Sequence, residues 1–85
     1  MRHARPDDLD RLEPLLEKIR KLDGLKEKSR GTFYRGSRAF LHFHEHEGVF
    51  FADVRLGHDF ERFPVTSVAE KKAFIATVAQ ALAAT

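Results

Sequence analysis

Arg38-Ala39-Phe40-Leu41-His42-Phe43-His44, then Glu45-His46-Glu47-Gly48, then Val49-Phe50-Phe51-Ala52-Asp53-Val54-Arg55-Leu56 is the stretch that decides the fold. Its two arms alternate in the period-two manner of strands, and the segment between them ends in glycine, so the whole reads as an antiparallel hairpin. Pairing His44 with Val49 sets Phe43 against Phe50, Leu41 against Ala52 and Ala39 against Val54, which makes one face apolar. The other face then carries Phe40, His42, His44, Val49, Phe51, Asp53 and Arg55. A slip of one residue would turn the histidines inward, so the apolar set chooses this arrangement.

Outward from the hairpin, the same texture continues. Between Leu25 and Val65, short runs rich in Phe, Val and Thr are broken at Arg30-Gly31, Arg35-Gly36-Ser37, Glu47-Gly48 and Gly57-His58. Turn-forming residues at that spacing predict an antiparallel meander of four to five strands, over residues 25–28, 32–35, 38–44, 49–56 and 60–64. On the N-terminal side, Leu9, Leu12, Leu15, Leu16, Ile19 and Leu22 recur on one face of a helix, which Asp23-Gly24 stops. Asp7 or Asp10 can cap its start. Pro14 lies within this pattern: it is tolerated in a first turn that begins at Asp10, or it kinks a helix that begins at Asp7. On the C-terminal side, Ser67-x-x-Glu70 is a capping-box pattern ahead of a stripe of Phe74, Ile75, Val78 and Leu82. The expected architecture is α+β in two layers, α-β(4–5)-α, with both helices on the Leu41, Phe43, Phe50, Val54 face.

Eighty-five residues suffice for one core, so residues 1–85 are expected to form a single domain. The chain has no cysteine, which removes disulfides, thiolate nucleophiles and sulfur-based zinc sites, and fits a reducing cytoplasm. The polar, charged start offers no apolar signal region, and no apolar run approaches the roughly 20 residues of a membrane helix. Fifteen Lys and Arg against 13 Asp and Glu give a formal charge of +2, too mild a surplus to imply nucleic acid by itself.

Three readings attach to particular residues. With both helices on one face, the other is left uncovered, and Phe40, His42, His44, Phe51, Asp53 and Arg55 then form a ligand or partner surface. Non-catalytic binding through it is the preferred reading, with a homodimer as the simplest case. The basic and aromatic strip Lys26, Lys28, Arg30, Tyr34, Arg35 and Arg38 supports contact with nucleic acid as an alternative, since cations hold phosphates and Tyr34 offers a stacking ring. A third reading is metal: imidazoles at i and i+2 of a strand point the same way, and with Asp53 they form a two-histidine, one-carboxylate set suited to zinc or iron. His42 beside Asp53 also has the composition of an acid-base pair. No nucleophile accompanies it, because Ser29, Ser37 and Ser67 sit in turn or capping contexts, so the sequence leans away from an enzyme. His3, His46 and His58 read as surface residues.

Gly31-Thr32-Phe33, Arg38-Ala39-Phe40 and Asp53-Val54-Arg55-Leu56 resemble the strands of the small bacterial MmcQ/YjbR family. That resemblance implies an α+β fold and DNA contact through hairpin tips, here Arg35 to Arg38 and Glu45 to Gly48. The chain departs from the family in its acidic second tip and in having no tryptophan. His42, His44, Gly48 and Asp53 are also similar to a segment of proteins termed luciferase-domain, which implies no light chemistry.

Overall fold

A computed structural model describes residues 1–84. The elements follow in the order β1 (Arg2–His3), α1 (Pro6–Arg20), β2 (Lys26–Ser29), β3 (Thr32–Arg35), β4 (Arg38–His46), β5 (Val49–Arg55), β6 (Phe60–Pro64) and α2 (Val68–Ala83). Strands β2 to β6 lie side by side in chain order, every pairing antiparallel, and β1 joins the far end of β4. The α+β sheet between two helices is the expected architecture. It has one strand more than anticipated, because two residues are too few to show a period.

The long hairpin differs in register. His46 pairs with Val49, His44 with Phe51, His42 with Asp53 and Leu41 with Val54, two residues away from the expected pairing of His44 with Val49. The turn is the cause. Only Glu47 and Gly48 form it, with φ of 51° and 82°, and two successive positive values match the right-handed twist of the flanking strands. Glu45 and His46 therefore extend the strand, and the Glu45 carboxylate accepts from the Gly48 amide at 2.8 Å. A shift of two leaves each side chain on its own face, so the apolar and histidine faces stay as anticipated.

Ala39 and Phe40, at the start of β4, do change sides. Phe33 pairs with Leu41 and Tyr34 with Ala39, which leaves Phe40 as the extra residue of a bulge. The bulge breaks the alternation, and Phe40, expected on the open face, is 2% exposed within the core.

Helix α1 begins earlier than either acidic cap would allow. Pro6 occupies its first turn, where a missing N–H costs nothing, and the Asp8 carboxylate accepts from the Arg5 amide at 2.9 Å. Pro14 sits inside this continuous helix. Leu9, Leu12, Leu15, Leu16 and Ile19 are all buried against the sheet. In α2, Ser67 Oγ accepts from the Glu70 amide at 3.1 Å while Glu70 accepts from the Ser67 and Thr66 amides, so the capping box forms as expected. Phe74 and Val78 are buried, Ile75 and Leu82 partly so, and the Phe74 ring meets Phe63 of β6 at 5.9 Å.

Both helices cover the face formed by Phe33, Leu41, Phe43, Ala52, Val54 and Phe63, and among the described residues no helix covers the other. No helix among the described residues is long and apolar enough to cross a membrane.

Two predictions follow from this packing. Gly31 has φ of +82°, and a Cβ there would lie 2.7 Å from Leu9 Cδ2. Gly31→Ala should lower stability by about 1–3 kcal/mol through backbone strain and a forced shift of Leu9; an unchanged urea midpoint would refute this. The second concerns acid. The Arg5 amide, then Arg2, hold the Asp8 carboxyl below its usual range against the opposing effect of burial. Because the folded value is depressed, the Asp8 contribution is complete at neutral pH and disappears as pH falls through that value. The stability gap between wild type and Asp8→Asn should therefore be constant near neutrality and narrow as pH falls from the ordinary carboxylate value through the depressed one; a gap that closes near neutrality contradicts the assignment.

Candidate functional site on the open sheet face

Pleating and register determine what the uncovered face displays. β2 presents Lys26 and Lys28, and β3 presents Thr32 and Tyr34. β4 presents His42, His44 and His46, β5 presents Val49, Phe51, Asp53 and Arg55, and β6 presents Phe60, Arg62 and Pro64. Opposed residues on neighbouring strands project the same way, so His42, Asp53 and Arg62 line up across three strands, as do His44, Phe51 and Pro64.

Asp53 is the centre of this face. It is 7% exposed, covered by its own partners. Arg62 grips it with two parallel bonds, Nε to Oδ1 at 2.7 Å and an Nη to Oδ2 at 2.9 Å. The Nε2 atoms of His42 and His44 approach the same Oδ2 at 3.3 and 3.0 Å. Burial pushes the Asp53 carboxyl up, but the Arg62 bonds and charge, helped by the two imidazoles, outweigh it and hold the group below its usual range. For His42 burial dominates: it lowers the imidazole below its ordinary value, and the Asp53 charge recovers only part of that.

Rings close the surroundings. Phe60 stands edge-on to His42 at 4.8 Å, with the Arg55 guanidinium 4.4 Å over its face. Arg55 is itself tied to the carbonyls of Ala39 and His58. His3 is exposed, as expected of a surface residue, and its ring also lies 4.7 Å from that of His44, because β1 pairs it with that residue and the Ala4 amide donates to the Phe43 carbonyl. His46 and His58 are exposed as expected.

The structure thus brings together His42, His44 and Asp53, sets Phe51 beside His44 and Arg55 over Phe60, and withdraws Phe40 into the core. Of the basic strip, Lys26, Lys28 and Tyr34 share the open face, with the Lys28 ammonium 4.2 Å over the Tyr34 ring. Arg35 and Arg38 flank the β3–β4 turn. Arg30 faces away, held by Asp10 and Glu13 of α1 at 2.7 and 2.9 Å. Sequence reasoning missed His3, Phe60 and Arg62. The alternation Phe60-x-Arg62-x-Pro64 is a signal for one shared face, but only the pairing of β5 with β6 says that Arg62 meets Asp53.

Compared with protein-family models, curated proteins and solved structures, the chain matches none.

Because the Asp53 carboxylate joins three cross-strand partners in a partly dry site, Asp53→Ala should cost about 1–3 kcal/mol. Thermal and urea unfolding measure this, and a loss under about 0.5 kcal/mol would mean that the network is a surface ornament.

Proposed function

We propose that the protein is a non-catalytic binding module that takes a single-stranded nucleic acid on its open sheet face. The observation that carries this reading is a separation of charge between the two sides of the sheet. Among strand residues, Glu27, Glu45 and Glu61 sit on the helix side, paired across strands with Phe33, Phe50 and Val54. The open face holds Lys26, Lys28, Arg55 and Arg62 against one acid, Asp53, which Arg62 already neutralises. Two cations on the helix side, Arg20 and Arg30, are instead paired with carboxylates, Arg20 with Glu13 and Glu27 and Arg30 with Asp10 and Glu13.

A phosphate chain laid across this face meets uncompensated positive charge, and Tyr34, Phe51 and Phe60 stand between the cations, where bases can stack. Half-buried rings on a rigid sheet lose little freedom on contact. The same charges disfavour the homodimer through this face, since two copies would oppose like charge. The hydroxyl and phenol groups of Thr32 and Tyr34 add neutral donors. Among the described residues no hydroxyl hydrogen-bonds to His42 or Asp53, and Arg62 occupies the carboxylate that a general base would use.

The test is titration of a fluorescently labelled single-stranded oligonucleotide over a range of salt. Affinity should fall linearly on a log-log plot, with a slope of about −0.7 per phosphate neutralised, and the Lys26→Glu/Lys28→Glu double variant should flatten it by about 1.4. No binding at low ionic strength overturns the proposal. Equal affinity for polyphosphate, which has no bases, would reduce the face to a charge trap and overturn the nucleic-acid assignment.

A further inference from the structure

We infer that His42, His44 and Asp53 form a binding site for a divalent transition-metal ion, of the zinc or ferrous class, with at least one position left open to solvent or ligand. The argument is geometric. Ligand atoms from the three residues lie within 4.8 Å of one another. In a tetrahedral site with bonds of about 2.0 Å, neighbouring ligand atoms are separated by about 3.3 Å. The two imidazole-to-carboxylate separations, 3.3 Å from His42 Nε2 and 3.0 Å from His44 Nε2 to Asp53 Oδ2, already fall near that edge length. The remaining side, between the two imidazole nitrogens, is at most 4.8 Å, so the rings must approach by up to about 1.5 Å to complete a regular tetrahedral edge.

The scaffold also fits. His42 and His44 are held two apart on β4, and Asp53 is directly opposite His42 on β5, so the three come from a rigid ladder rather than a loop. Arg62 bonds both carboxylate oxygens, so an ion at Oδ2 displaces its Nη bond there (2.9 Å) while the Nε bond to Oδ1 (2.7 Å) can stay, as the outer contact that orients ligating carboxylates in metal sites. The cost is a second cation nearby. A bound ion would leave the cluster with excess positive charge, which an anion at the open position offsets; a phosphate oxygen of a strand lying on this face is one such anion. In this respect the site strengthens the nucleic-acid reading, but it does not depend on it, since the ion binds to protein groups alone.

The experiment uses the free protein. Equimolar Zn²⁺ should shift the side-chain nitrogen signals of His42 and His44 together in NMR spectra and leave those of His46 and His58 in place. Co²⁺ should give the visible ligand-field absorption of a low-coordinate nitrogen and oxygen site. His44→Ala should abolish that absorption, and His58→Ala should preserve it. Unmoved His42 and His44 signals at equimolar zinc overturn the site, and this readout needs no variant to fold. Loss of cobalt absorption in His3→Ala, with retention in His44→Ala, would place the ion at the chain start and overturn the ligand set. Because no nucleic acid is present, a negative result here leaves the salt-dependent binding test standing, and the reverse also holds.

Discussion

The ladder between β4 and β5 is the constraint on which the other elements depend. It is the longest pairing in the sheet, and its register is set by a turn of only two residues, Glu47 and Gly48, both in the left-handed region. Once those two residues adopt that conformation, Leu41, Phe43, Ala52 and Val54 must face one way and His42, His44, Phe51 and Asp53 the other. The helices are recruited by the first set. β3 and β6 add to the outer edges of the ladder and extend both surfaces without altering them, apart from the bulge at Phe40.

Much of this was legible in the chain, because the physics involved is local or periodic. The leucine stripe of α1, the Ser67-Glu70 box of α2 and the alternation of five strands each declare themselves within a few residues. Where the reading failed, the deciding interaction lay elsewhere in space. The expected pairing of His44 with Val49 assumed a four-residue turn, and nothing in Glu45-His46-Glu47-Gly48 announces that the first two residues remain extended. The burial of Phe40 comes from a bulge set by the neighbouring strand. α1 starts at Pro6 instead of an acidic cap because Asp8 reaches back to the Arg5 amide.

For the candidate site, the sequence revealed its members more readily than its wiring. His42, His44 and Asp53 follow from parity alone, and a register error of two residues does not disturb parity. Arg62 and His3 lie on strands whose partners only tertiary structure identifies. Their addition changes the chemistry of the cluster. Two imidazoles beside a lone carboxylate would make an acidic, reactive pocket, whereas with Arg62 in place the carboxylate is balanced and the face as a whole becomes basic.

The two-residue strand β1 has an effect out of proportion to its length. By pairing with Glu45 and His44, and by anchoring Arg2 to both Asp8 and Glu45, it covers the stretch of β4 that β3 is too short to reach. Unpaired amides there would otherwise invite a strand from another molecule. The two outer margins are protected in other ways: β2 by its irregular pairing and its lysines, β6 by Pro64. Each of these features works against the addition of a further strand at the rim where it sits.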